Sequence, residues 1–357
     1  MKQRISNKIK INEKKATLST LSRVQTYLRA FNGNPILRPT TNGWESCATF
    51  NPAAIYEAGR VHIIYRAIGD TNMSVLGYAS SKDGVTIDER ADEPVFVLED
   101  IRGEEPPTTR GRLVYSSGGG WYGGCEDPRI TKIDDRFYVP FVHFDGENHP
   151  RLAMTSAKTS DFLKGNWNCT KPVFISPPGV INKNAAILPE KINDKYVIFH
   201  RIFPSILIDF VDDLDFDGKT KWLKGEFSIN PREGMWDSRK VGVGPTPIKT
   251  KDGWLVIYHG VGDECPHYKY KMGAMLLDID DPTEVLYRAK EPVLEPEEDD
   301  CNIIYPCGAV VIKDTLFVYY GSRDLTVKVA TANLNKFLDA VKDTEKARVT
   351  PSGLFEI

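Results

Sequence analysis

Apolar residues along most of this chain come in short runs rather than in helical stripes. The runs are rich in Val, Ile, Tyr and Phe, and Gly, Asp, Asn and Pro separate them, which predicts many short strands. Two segments follow a different rhythm. Leu18, Leu21, Val24 and Leu28 recur every three or four positions, as do Leu334, Phe337, Leu338 and Val341, and both patterns predict amphipathic helices.

The strand-rich part carries a faint internal repeat. Five times, a strand with small residues or proline leads through a charged turn into a strongly apolar strand. The copies are NPAAIYEAGRVHIIYRA, EDPRITKIDDRFYVPFVHF, KNAAILPEKINDKYVIFHRI, GVGPTPIKTKDGWLVIYHGV and YPCGAVVIKDTLFVYYGSRD. Arg66, His143, Arg201, His259 and Tyr320 serve as equivalent points at near-regular spacing. Antiparallel strand pairs repeating in this way predict an all-β chain, a five-bladed β-propeller. A β-sandwich with long loops is the alternative. The expected division is an N-terminal helical extension over 1–33, the propeller over 34–333 and a C-terminal helix and tail over 334–357. Polar residues fall at the entry of a first strand (Asn51, Asp127, Lys183) or the exit of a second (Arg66, Arg201, His259, Asp324). In a propeller such positions gather at one rim of the central channel.

Composition narrows the function. The 357 residues carry a net charge of −3, with no acidic or basic half. That argues against nucleic acid or an anionic membrane as the main partner. The start, MKQRISNKIKINEKK, lacks the apolar segment of a secretory signal, and no later stretch has the length of a membrane helix. The six cysteines are scattered without metal-type pairing, which fits reduced thiols in a cytoplasmic protein. P-loop, dinucleotide-binding and HExxH patterns are missing.

Taken singly, the polar residues have ordinary readings. Asp127, before Pro128, fits a turn that caps a backbone N–H. Lys183 and Asn184 fit a solvated turn, Arg201 fits a pair with an acidic neighbour, and Lys240 sits among charged residues. His259 and Tyr270 fit packing. Trp44, Trp121, Tyr122, Trp236 and Tyr305 fit either the core or a sugar face. GGGWYGG from Gly118 to Gly124 fits a mobile loop or a substrate lid leading into Asp127.

In order along the chain, CEDPRI, KNAAILPEKI with HRI, SRKVGVGPTPI, GWLVIYHGV, YKMGAMLLDIDDP, and NIIYPCGAVVI with YYGSRD resemble glycoside hydrolase family 130. These are the β-mannoside phosphorylases and their hydrolytic relatives. The resemblance runs from about Asn34 to Asn333 and implies a five-bladed propeller. It makes Asp127 the general acid, acting through a hydroxyl of the mannose, with a pKa expected to be raised. It assigns phosphate to Lys183, Asn184, Arg201, Lys240, His259 and Tyr270. It makes Asn51, Arg66, Arg129 and Asp324 candidates for the sugar. Ser322-Arg323 before Asp324 departs from the small residues of many relatives and leaves the shape of that rim open.

The implied reaction is inverting phosphorolysis of a β-mannoside to α-mannose 1-phosphate. Phosphate is a co-substrate, and no cofactor or metal is required. KNAAILPEKI, HRIFPSI and EDPR lean toward β-1,2 linkages, with β-1,4-mannooligosaccharides or mannosylglucose as the other branches. A β-mannosidase using water and a non-catalytic mannoside-binding propeller are the rival readings. A homo-oligomer is compatible, because the first helix fits a dimer contact as well as a cover over one blade.

Overall fold

The computed structural model describes residues 28–98, 123–146, 148–263, 268–297, 302–343 and 350–351. The helix expected to begin at Leu18 therefore lies outside the described residues, except for its last position, Leu28, which is buried. No helix among the described residues is long and apolar enough to cross a membrane.

The described chain is all-β with two short helices. It opens with β1 (Arg29–Ala30) and then forms five successive antiparallel meanders in four sheets, the first two joined into one nine-stranded sheet by a parallel bridge from Ser74 to Gly124. The first contains β2 (Ala48–Glu57), β3 (Arg60–Ile68), β4 (Ser74–Ser81) and β5 (Glu89–Arg90). The second contains β6 (Gly124–Glu126), β7 (Thr131–Ile133), β8 (Arg136–Phe144), β9 (Arg151–Lys158), helix α1 (Thr159–Leu163) and β10 (Val173–Phe174). The third contains β11 (Lys183–Ile187), β12 (Tyr196–Ile202), β13 (Ser205–Val211) and β14 (Phe227–Ile229). The fourth contains β15 (Lys240–Val243), β16 (Ile248–Thr250), β17 (Gly253–Val261), β18 (Tyr270–Leu277) and β19 (Val285–Arg288). The fifth contains β20 (Ile304–Ile312), β21 (Thr315–Ser322) and β22 (Thr326–Asn333). Helix α2 (Leu334–Lys342) and β23 (Thr350–Pro351) follow.

The chain termini complete two meanders. β1 pairs with β22 as the outer strand of the fifth meander, and β23 pairs with β14 in the third. Arg29 and Ala30, expected in a helical extension, are thus strand residues of the main fold. The C-terminal pattern does form a helix. Asn333 caps it by accepting the Lys336 amide at 3.1 Å, and Phe337, Leu338 and Val341 are its buried face.

Each central strand feeds two cores. Along β12, Val197 and Phe199 enter one cluster while Ile198 enters another. Along β17, Trp254, Val256 and Tyr258 face one way, and Leu255 and Ile257 the other. Side chains alternate along a strand, so a sheet covered on both faces needs apolar residues at every position. This explains the continuous apolar runs. Five large clusters result. They join the first meander to the second, the second to the third, the third to the fourth, the fourth to the fifth, and the fifth back to the first.

The five anchor residues of the repeat lie on β3, β8, β12, β17 and β21, each on the strand that pairs with its meander's first strand. Arg66 is opposite Phe50, His143 opposite Cys125, Arg201 opposite Lys183, His259 opposite Gly242, and Tyr320 opposite Pro306. The first strands break register just past these pairs in the first, third and fifth meanders. Bulges of this kind turn a side chain out of the ladder and aim it elsewhere.

Candidate active site

Four of the candidate site residues, Asn51, Asp127, Asn184 and Asp324, have a left-handed backbone. Asn51, Asp127 and Asn184 have φ of 46°, 48° and 62°; Asn51 and Asn184 sit at the register breaks within β2 and β11, and Asp127 directly follows β6. Asn and Asp tolerate this left-handed region better than other residues with a Cβ. Their side chains leave the ladder and meet. Asn51 Nδ2 donates to Asp127 Oδ1 at 2.7 Å, and Asn184 Nδ2 donates to the Tyr305 hydroxyl at 2.5 Å. Gly321 makes room for Asn51, because a Cβ there would lie 2.0 Å from Asn51 Oδ1.

Asp127 belongs to a buried acidic wall. Arg66 reaches its Oδ1 at 3.4 Å, Glu126 Oε1 at 3.0 Å and Ser74 Oγ at 2.9 Å. Lys183 Nζ approaches Glu126 Oε2 at 3.6 Å. Asp324 completes the group from the β21–β22 turn. Its φ is 54° and the preceding Arg323 has 61°, the paired left-handed conformation of a tight hairpin. The amide of Thr49 bonds the carbonyl of Leu325 at 3.0 Å, which ties this turn to the start of β2.

The cations gather beside that wall. Burial and then the fields of Arg201, Lys183 and Arg239 push Lys240 down to about 7. Its Nζ donates to the Tyr270 hydroxyl at 2.5 Å and lies 4.4 Å from that ring's centre. Burial lowers Lys183 as well, with Arg201 and Arg66 adding to the effect while Glu126 and Asp127 oppose it. His259 is fully buried, and burial together with Arg201, Lys240 and Arg129 holds it well below the usual histidine range, so its imidazole is neutral. Its ring lies 4.6 Å from Tyr305 and 5.8 Å from Tyr270. Gly242 opposite lacks a Cβ, which would sit 2.4 Å from His259 Cε1.

Several donors and acceptors here are buried without a hydrogen-bond partner among the described residues: both ring nitrogens of His259, Arg201 Nε, Asn184 Oδ1 and Asn51 Oδ1. Buried polar atoms are seldom left unpaired, and each unmade bond costs about 1–3 kcal/mol. Several in one place, beside three mutually repelling cations, mark a site built for a polar, anionic ligand.

Several of the expected site groups already have partners within the protein. Burial pushes the Asp127 carboxyl up, but Arg66, Arg129, Lys183 and the Asn51 hydrogen bond together hold it below the usual range. The raised carboxyl is Asp324, which burial carries to about 6 against Arg66, with Asp127 and Glu126 adding to the rise. Arg129 is fully buried, and it donates to the carbonyls of Gly244 at 2.7 Å, Asp127 at 2.8 Å and Val243 at 3.2 Å. Arg66, 1% exposed, likewise spends its donors on Ser74, Glu126 and Asp127 rather than facing open space.

Glu126, to which the sequence assigns no role, links Arg66 to Lys183. Its place in CEDPRI was the available signal. Tyr305, read as core or sugar platform, instead fixes Asn184 and flanks His259. Trp44 and Trp236 are packing residues, stacked on Tyr65 and Tyr258 and donating to the carbonyls of Asp92 and Lys290. Trp121 and Tyr122 lie outside the described residues, as do Cys265 and Cys301.

An all-β scaffold that sets a carboxylate wall against a nest of cations and neutral donors is the frame of a carbohydrate-active enzyme using an anionic co-reactant. The sequence profile of glycoside hydrolase family 130, described as beta-1,4-mannooligosaccharide phosphorylase, matches residues 12–343. The chain belongs to that family.

Two relatives come from Thermoanaerobacter sp. (strain X514). A 1,2-beta-oligomannan phosphorylase is 39% identical over 85% of this chain and 96% of its own length. A beta-1,2-mannobiose phosphorylase is 39% identical over 87% of this chain and 98% of its own. Among solved structures, a beta-1,2-mannobiose phosphorylase from Listeria innocua, in complex with beta-1,2-mannobiose, superposes with a TM-score of 0.67. It is 25% identical, over 88% of this chain and 99% of that one.

Proposed function

We propose that the chain is an inverting glycoside phosphorylase. It cleaves a β-mannosidic bond with inorganic phosphate and yields α-mannose 1-phosphate. The observation that carries this reading is the convergence of Lys183, Arg201, Lys240, Asn184, Tyr270 and neutral His259 beside Asp127. Water needs a second carboxylate as base, whereas phosphate arrives as an anion and needs cations and donors to hold it.

A phosphate oxygen attacks the anomeric carbon of mannose. The bond to the leaving oxygen breaks on the opposite face, and its electron pair is met by a proton from Asp127, relayed by a mannose hydroxyl. At rest Asp127 is a carboxylate. Bound phosphate opposes the field of Lys183 and its neighbours, and so favours the protonated acid in the ternary complex. Asn51 orients the acid and Asp324 holds the mannose. Arg66 and Arg129 are positioning residues, because their donors hold the wall itself.

The β-1,2 linkage is favoured by the two relatives at 39% identity, although the family description names β-1,4. For the fold we read the five meanders as blades of a five-bladed propeller, with β1 closing the fifth. Five apolar cores between five successive meanders, the last returning to the first, support that reading.

The test is incubation with β-1,2- and β-1,4-mannobiose, with and without phosphate. Cleavage should require phosphate, release mannose 1-phosphate and prefer the β-1,2 isomer. Equal cleavage in both conditions would identify a hydrolase instead.

A further inference from the structure

We propose that His200, held by Asp209 and Asn182, is a positioning residue for the phosphate cradle; the proposal rests on the phosphorylase reading above. His200 is fully buried, precedes Arg201 on β12, and points to the opposite face of the strand. Its Nε2 donates to Asp209 Oδ2 at 2.8 Å, and its Nδ1 pairs with the Asn182 side-chain amide at 2.9 Å. Asn182 is also fully buried and immediately precedes Lys183. Lys183 and Arg201 are themselves register partners across β11 and β12. The imidazole thus spans the back of the ladder whose front carries two of the cradle's cations.

The far end of this chain is anchored. Asp209, 2% exposed, accepts the backbone amides of Lys224 at 3.1 Å, Gly225 at 2.9 Å and Glu226 at 3.3 Å. Those amides and the His200 contact hold its carboxyl below the usual range despite burial, so it is a fixed anion. Neither His200 nor Asp209 belongs to the cradle itself.

The function of this arrangement follows from electrostatics. Lys183, Arg201 and Lys240 repel one another before an anion binds, and the ladder at Lys183–Arg201 is interrupted by a bulge that ends at Ala186. A rigid brace behind that bulge keeps the cations together in the absence of phosphate. Without it they relax apart, and the anion must reassemble them at the expense of affinity.

The test is steady-state kinetics of the full chain with His200→Gln, Asp209→Ala and Asp209→Asn, together with thermal melts. The expected result is a rise in the KM for phosphate of about tenfold, the scale typical of lost outer-shell support. The KM for mannoside and kcat at saturating phosphate should stay within about twofold. Asp209→Asn keeps an acceptor for His200 and should recover part of what Asp209→Ala loses. If Asp209→Ala does not fold, His200→Gln and Asp209→Asn carry the same comparison. A fall in melting temperature with unchanged phosphate KM, or equal changes in both KM values, would overturn the proposal. If the wild-type protein turns over without phosphate, the phosphorylase reading falls first and takes this one with it.

Discussion

Asp127→Asn isolates the proton from everything else the carboxylate does. Asn is accepted at a φ of 48°, where most other residues would be strained. Glu126 still pairs with Arg66 at 3.0 Å, so the guanidinium is not left without a counter-ion. The structural loss is the long 3.4 Å contact from Arg66 and part of the Asn51 hydrogen bond, worth about 1.5–3 kcal/mol before the relief of burying one charge fewer. The chemical loss is larger. A positioned general acid contributes about 10²–10⁴ in rate, or about 3–5 kcal/mol of barrier. Phosphorolysis of β-1,2-mannobiose should therefore fall by that factor while phosphate affinity changes by less than about tenfold. Dinitrophenyl β-mannoside supplies the control, because its leaving group needs no proton. With that substrate and phosphate, the variant should come within about tenfold of wild type. Equal losses on both substrates would refute the acid role of Asp127, and so would full activity on mannobiose.

Other predictions follow from the charges around this acid. The folded-state pKa of Asp324 lies above its ordinary 3.8, at about 6, so wild type loses stability as pH rises through that window, by up to about 3 kcal/mol. Asp324→Asn escapes this loss; urea unfolding at pH 4 and pH 8 should show the variant gaining on wild type at the higher pH, and a constant difference would contradict the raised carboxyl. Because Lys240 sits at about 7, phosphate should draw a proton onto it at pH 8. Calorimetry in buffers of different ionisation enthalpy should detect that uptake, and Lys240→Met should lower it; an uptake unchanged in the variant would count against Lys240 as an anion ligand. Gly242→Ala pushes a methyl to 2.4 Å from the His259 ring and should raise the phosphate KM about tenfold with the fold kept, since overpacking of this kind costs about 1–3 kcal/mol. An unchanged KM would mean that His259 does not contact the anion.

Much of this molecule was legible in its sequence because strand patterning and repeat spacing report the same architecture. The apolar runs ending at Arg66, Arg201 and His259 are the central strands β3, β12 and β17, and the stripe from Leu334 to Val341 is helix α2. Local pattern does not fix partners across the chain. Arg29 and Ala30 sit at the end of a helical stripe, yet they are strand because β22 offers them an unpaired edge. The sequence offers Arg129 and Arg66 as sugar candidates and says nothing of their partners in the fold. Only the fold reveals that backbone carbonyls from the fourth meander and the carboxylate of Glu126 consume their donors. The resting charge of Asp127 was equally hidden. It is the outcome of burial against three cations drawn from three separate stretches of sequence.

The most direct measurement is a crystal structure of the protein soaked with phosphate and mannose. The anion should lie within hydrogen-bond reach of Lys183, Arg201, Lys240 and the ring of His259, with the anomeric carbon between it and Asp127. An anion bound elsewhere, or those four side chains turned away from it, would contradict the account.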